Sequence, residues 1–171
     1  MPNWCENNLT INGANERLKQ FLSENVKDDR ELDFNFVSPS PTDETWYDWR
    51  WQNWGTKWTG DVYFVEHAQD DALTINFNTA WSPPNAWIEK ASKHYPDLHF
   101  YLLYEESGCN FAGYFQAENG ETAGECAELE FVDEESGEKV AYDSTKDKYV
   151  LESGKVIEDE YYIPQSFNPY A

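Results

Sequence analysis

Ala72-Leu73-Thr74-Ile75-Asn76-Phe77-Asn78-Thr79-Ala80 alternates apolar and polar side chains along its whole length, the period of a half-buried β-strand. What surrounds it decides the fold. Downstream, Ser82-Pro83-Pro84 opens a helix with Trp87, Ile88, Ala91 and Tyr95 on one side, and Pro96 stops it. Leu98, Phe100, Leu102 and Tyr104 then alternate through a strand at 98–106. Upstream, residues 61–67 read as a strand joined to 72–80 through Ala68-Gln69-Asp70-Asp71, a hairpin. Nearer the amino end, Leu9 and Ile11 alternate with Asn8, Thr10 and Asn12 in a strand at 5–12 ending at Gly13. Leu18, Phe21, Leu22 and Val26 place a helix over 14–26, with Glu16 in its first turn.

The order strand, helix, strand, strand, helix, strand is the split β-α-β arrangement of a ferredoxin-like α+β fold. A segment is inserted before its second strand. There Leu32, Phe34 and Phe36 alternate ahead of Ser38-Pro39-Ser40-Pro41, where a helix can start with Ser40 as cap. Tyr47, Trp51, Trp54 and Trp58 stand at i, i+4, i+7 and i+11, so residues 42–54 are expected to form one helix with an aromatic face, stopped by Gly55. After a turn at Ser107-Gly108 another strand follows at 111–117. Glu-Ser-Gly recurs at 106–108, 135–137 and 152–154, and between these turns Leu129, Phe131 and Val140, Tyr142 alternate, a meander of hairpins. Residues 161–171 hold two prolines and no periodicity and read as a loosely docked tail.

The chain has 171 residues and a formal net charge of −21. Leu, Ile, Val and Phe make up just under a fifth of it, a level that suggests disorder in so charged a chain, but 8 Trp, 11 Tyr and 10 Phe supply a core built of rings. Residues 117–171 carry 15 of the 33 acidic side chains and 4 of the 12 basic ones. We therefore divide the chain near Gln116, into a ferredoxin-like domain (1–116) and an acidic β-hairpin extension with a tail (117–171). No apolar run approaches the ~20 residues of a membrane span and the first residues lack a secretory pattern, so the expected location is the cytoplasm. Cys5, Cys109 and Cys126 have no metal or redox spacing and are expected to be reduced thiols, Cys5 and Cys109 buried; neither metal nor cofactor is implied. Such acidity opposes nucleic acid and favours a basic protein partner.

Strand polarity brings the starts of strands one and two and the ends of strands three and four to one rim of the sheet. Four unusual segments should meet there: Asn3-Trp4-Cys5, Asn53-Trp54-Gly55-Thr56-Lys57-Trp58, Ala80-Trp81-Ser82-Pro83 and Gly108-Cys109-Asn110-Phe111. With Asn7-Asn8-Leu9-Thr10-Ile11-Asn12-Gly13 and Thr79 to Pro84, these stretches resemble the YubB-type ferredoxin-like domain of phage and plasmid proteins. The resemblance spans about residues 1–116. It implies a ferredoxin-like fold and a mobile-element origin, and brings no catalytic residue or cofactor. Asn110 stands where relatives would carry Gly.

Lys57 lies between Trp54 and Trp58, which suits either a structural cation–π contact closing the rim or a cation facing an anionic ligand. The outer faces of the two central strands present Asn8, Thr10, Asn12, Thr74, Asn76 and Asn78 and no ring on which a base could stack; Tyr101 is the nearest substitute. His67, His94 and His99 fall on different elements, without a nucleophile beside them. The expected function is thus a non-enzymatic interaction module of a mobile genetic element, with Asn3, Trp4, Asn53, Trp54, Thr56, Lys57, Trp58, Trp81, Cys109 and Asn110 as candidate binding residues. Two alternatives stay open: a small-ligand-binding protein or enzyme using the Trp and Lys57 rim, and an acidic nucleic-acid mimic.

Overall fold

Alternation is realised most fully in β1 (Trp4–Asn12), where Cys5, Asn7, Leu9 and Ile11 are buried while their neighbours face outward. The computed structural model describes residues 3–67, 71–133, 135–157 and 162–165. After β1 come α1 (Asn15–Asn25), β2 (Val26–Lys27), β3 (Glu31–Leu32), α2 (Trp46–Asn53), β4 (Gly60–His67), β5 (Ala72–Ala80), α3 (Asn85–His94), β6 (His99–Glu106), β7 (Phe111–Glu118) and β8 (Glu121–Glu128). The eight strands form one antiparallel sheet in the order β2-β3-β4-β5-β1-β6-β7-β8. Its centre, β4-β5-β1-β6, has the strand order of the ferredoxin-like split motif, as the sequence implies.

One side of the sheet carries the core. Leu9, Ile11, Leu73, Ile75, Phe77, Phe100 and Leu102 pack with Leu18 and Phe21 of α1 and Trp87, Ile88 and Ala91 of α3. Phe21 meets Trp87, Tyr95 and Phe100 edge-on at centroid distances of 6.4, 5.2 and 5.7 Å. Full burial of such a side chain stabilises by roughly 1.5–3 kcal/mol, so a few rings replace many aliphatics.

Several expectations shift in the inserted segment. The alternation of Leu32, Phe34 and Phe36 does not become a long strand. Asp33 accepts hydrogen bonds from the Asn35 backbone N–H (3.0 Å) and Nδ2 (2.9 Å), which turns the chain and leaves Phe34 in the core. Nor does a helix start at Ser40. Asp43 Oδ1 accepts the Thr45 N–H (2.9 Å) and hydroxyl (2.5 Å), and this local turn delays α2 to Trp46. Gly55, with φ +83°, ends the helix as expected.

Beyond β7, β8 follows through the two-residue turn Asn119-Gly120 and joins the same sheet, so the compositional change near Gln116 falls inside a strand that is hydrogen-bonded on both sides. β9 (Glu130–Asp133), β10 (Val140–Asp143), β11 (Lys148–Leu151), β12 (Val156–Ile157) and β13 (Tyr162–Gln165) complete the described chain. β10, β11 and β12 form the meander, while β13 pairs with β9, so part of the stretch expected as a loose tail is strand; 166–171 lie outside the described residues.

On the side of the sheet away from α1 and α3, β5 carries no ring and β1 carries one, Trp4 at its rim end; from Glu6 to Asn12 that face of β1 is polar, and rings flank this polar centre. A bulge between Val62 and Phe64 leaves Tyr63 and Phe64 exposed on β4, and Tyr101 stacks on Tyr114 (6.0 Å) across β6 and β7. Among the described residues no helix is long and apolar enough to cross a membrane.

Candidate functional site

The rim forms because three local contacts, one between backbones and two through side-chain hydroxyls, aim its segments at one another. Trp81 leaves β5 with φ +64°, a left-handed turn uncommon for a bulky residue, and its N–H donates to the Asn3 carbonyl (2.9 Å). Gly55 passes so close to α3 that a Cβ there would lie 3.1 Å from the Pro83 carbonyl oxygen, and its own carbonyl accepts the Ser82 hydroxyl (2.6 Å). Thr56, fully buried, donates to the Ala80 carbonyl (2.9 Å). Together these bonds fasten the segment after α2 to the end of β5 and the start of β1.

On this frame Lys57 Nζ lies over three rings: Trp58 at 4.6 Å, Trp81 at 5.2 Å and Tyr47 at 5.6 Å from their centroids. Trp51 stacks on Trp81 (6.3 Å, interplanar 8°), and Trp4 tilts against Trp58 (6.4 Å). Three of these rings keep large exposed areas, Trp4 at 42%, Tyr47 at 40% and Trp58 at 38%. Lys57 makes no ion pair among the described residues, so the rings are what its ammonium faces.

The remaining candidates divide. Asn3 Nδ2 donates to Cys109 Sγ (3.7 Å), and the Glu106 carboxylate accepts the Gly108 and Cys109 N–H groups (2.8 and 2.5 Å), tying the 107–110 turn to the rim. Cys109 is exposed rather than buried because it sits in that turn, and the neighbouring Glu106 carboxylate pushes its thiol up. Cys5 is buried, as expected, and burial pushes its thiol well above the ordinary range. All three cysteines are free thiols. Asn110 has φ +61°, a conformation that Asn tolerates better than most side chains, and its carbonyl accepts the Leu129 N–H (2.9 Å).

Trp54 and Asn53 do not reach the rim surface. Trp54 was expected to flank Lys57; instead it is fully buried, edge-on to Phe34 (5.5 Å) and Trp49 (6.1 Å), and donates through Nε1 to the Ser38 carbonyl (2.9 Å). Its cation is Arg50, 4.5 Å above the ring and 4.8 Å from Trp46. Asn53 is held by the Trp49 carbonyl (2.8 Å) and by Lys90. The reason is the short helix: once α2 ends at Asn53, the i, i+4, i+7, i+11 row splits, sending Tyr47 and Trp51 to the rim and Trp54 inward. Tyr47 and Trp51 are thus rim residues whose only sequence signal was their i, i+4 spacing.

What this arrangement offers chemically is recognition: broad ring faces, one ammonium and a turn with an exposed thiol. Among the described residues no three His, Cys, Asp or Glu side chains stand close enough to hold a metal ion.

Residues 53–145, from the end of α2 to just past β10, match the family described as the ferredoxin-like domain in Api92-like protein. The crystal structure of a protein api92 from Yersinia pseudotuberculosis is similar over 57% of this chain and 39% of that one, at 16% identity and a TM-score of 0.48. This chain therefore spans well under half the length of that relative. No curated protein matches the sequence.

Proposed function

The chain belongs to the family of ferredoxin-like domains of Api92-like proteins, and we propose that it is a non-enzymatic interaction module of a phage or plasmid, acting in the cytoplasm on a protein partner with a basic surface. One observation carries this reading: Trp4, Tyr47 and Trp58 hold large exposed ring areas side by side around Lys57, while the chain has ample core to bury rings elsewhere. Tryptophan and tyrosine dominate the energetics of protein interfaces, and a contiguous exposed cluster of them marks an interaction surface. The net charge of −21 favours a basic partner through long-range attraction. The mobile-element origin rests on the resemblance in the four rim segments.

Affinity capture from a bacterial lysate, with the full chain and with Trp4→Ala and Trp58→Ala variants as bait, tests the proposal. A protein retained by the parent chain and lost from both variants supports it. A small molecule retained in place of a protein favours the ligand-binding alternative, and a parent and variants that retain the same proteins overturn the assignment to the rim.

A further inference from the structure

β8 is the last strand of the eight-stranded sheet, and all eight of its residues are exposed. The turn that introduces it, Asn119-Gly120 with φ +48° and +82°, has the two left-handed residues of a type I′ hairpin, which makes Glu118 and Glu121 a hydrogen-bonded pair. Antiparallel alternation then turns the N–H and C=O groups of Ala123, Glu125 and Ala127 toward β7, and those of Thr122, Gly124, Cys126 and Glu128 outward. Among the described residues no strand takes up these outward groups. β8 has no proline and no lysine and is as long as its neighbour β7; what guards this edge is the negative charge of Glu121, Glu125 and Glu128, which repels acidic strands and not basic ones.

The two faces of β8 differ. By register, Glu121, Ala123, Glu125 and Ala127 share the face of Tyr101 and Leu103, away from the helices, and neither glutamate has an ion-pair partner among the described residues. Thr122, Gly124 and Cys126 face the helix side. There a hollow of about 480 Å³ opens between β8 and the first turn of α3, lined by Asn85, Tyr104, Phe115 and these three residues. Asn85 Oδ1 is buried at this place and has no hydrogen-bond partner among the described residues. Gly124 puts no side chain over the opening.

We propose that β8 is a strand-addition site for an extended basic segment of a partner protein, which pairs with the outward groups of Thr122, Gly124 and Cys126. Lysine or arginine at i and i+4 of that segment faces Glu121 and Glu125, and an apolar side chain between them enters the hollow beside Tyr104 and Phe115. Main-chain bonds of this kind give affinity, and the alternate side chains give selectivity. Opposite charges across paired strands are favourable and like charges are not. That selects a basic segment and disfavours a second copy of this chain, which would set two molecules of net charge −21 edge to edge. The site is distinct from the aromatic rim and does not depend on it.

The test uses the full chain and a fluorescein-labelled peptide of sequence Val-Lys-Leu-Ala-Val-Lys-Leu, with a same-composition scramble and a Lys-to-Glu version as controls. Fluorescence anisotropy should show binding at least tenfold tighter for the first peptide than for either control. Hydrogen exchange at the Thr122, Gly124 and Cys126 amides should slow at least tenfold on binding. Glu121→Lys with Glu125→Lys should reverse the preference toward the Lys-to-Glu peptide, and Trp58→Ala should leave binding unchanged, which separates this site from the rim. Thr122→Pro removes one outward N–H and should weaken binding; if that variant fails to fold, the charge reversal alone decides. Equal binding of peptide and scramble overturns the proposal, as does unchanged exchange at these three amides. Sedimentation showing the chain paired with its own copy through β8 overturns it in favour of self-association.

Discussion

Lys57 and Trp54 were expected to be partners, and their separation sets up opposite responses to substitution. Trp54 is fully buried between Phe34 and Trp49, so Trp54→Ala should cost about 3–5 kcal/mol of stability in chemical denaturation, the usual range for deleting a large core ring. Lys57 stands over three rings near solvent, and Lys57→Met should cost about 1 kcal/mol or less, the scale of an exposed cation–π contact. Equal losses would mean that the rim is part of the core. Two carboxyls respond to pH in opposite senses. Burial pushes Asp33 up, but hydrogen bonds from Lys27 and Asn35 outweigh it and leave its carboxyl below the ordinary value. Its contribution to stability is therefore present above the unfolded carboxyl range and disappears as the pH falls through the lower folded value. Glu105 is raised, by burial and then by Glu6, its cross-strand partner. A raised carboxyl stabilises the fold below the unfolded value, and that gain is lost as the pH rises through the folded one. Tm should thus climb as the pH is lowered from neutrality through the raised Glu105 value, and fall again as the pH drops below the ordinary carboxylate range and through the lowered Asp33 value. Glu105→Gln should flatten the climb and Asp33→Asn the fall, both readable by calorimetry; a Tm that falls steadily from pH 7 downward would contradict the first assignment.

At the scale of elements, the contact between β7 and β8 hangs on Gly113. A Cβ there would fall on the Glu125 carbonyl oxygen and the Tyr104 hydroxyl, so Gly113→Ala should force the strands apart at a cost of about 1–3 kcal/mol. Faster hydrogen exchange over 121–128, with exchange in β1 and β5 little changed, is the expected signature. The strands and helices of the split motif were legible because each has a period that one buried face imposes: Leu73, Ile75 and Phe77 in β5, or Trp87, Ile88 and Ala91 in α3. The inserted segment was not. Its aromatic row fits a helix through Trp54, but Asp33 and Asp43 each bind a backbone N–H two residues on, and such local bonds override a periodic pattern without leaving a period of their own. The meeting of Trp4, Lys57, Trp81 and Cys109 at one rim followed from strand polarity alone. Which rings turn outward depended on where α2 stops, and so lay beyond that argument. The bulge that leaves Tyr63 exposed has no sequence mark either, since Val62, Phe64 and Val65 all suit a strand.

For the molecule as a whole, acidity and sheet continuity have separate consequences. With a net charge of −21 the chain should show no measurable binding to single-stranded RNA or DNA at physiological salt; micromolar affinity in an anisotropy titration, weakening steeply with added salt, would reverse that expectation. Gln116 lies inside β7, paired to Tyr101 on one side and Ala123 on the other. A chain ending at 129 should therefore melt in one cooperative transition, whereas one ending at 116 loses β8 and the end of β7 and should melt several degrees lower; identical transitions would locate the stabilising sheet within the first 116 residues.

The position of β1 bears on how the protein comes into being. It precedes the other described strands in the chain, yet it lies in the middle of the sheet, with Trp4 opposite Ala80 and Asn12 opposite His99. At about 5–20 residues per second, a ribosome takes roughly 4–16 s to deliver those partners. Throughout that interval β1 lacks both of its neighbours in the sheet, β5 and β6. A nascent chain of this design depends on whatever shields it in the meantime, and a translational pause before β5 lengthens the exposure.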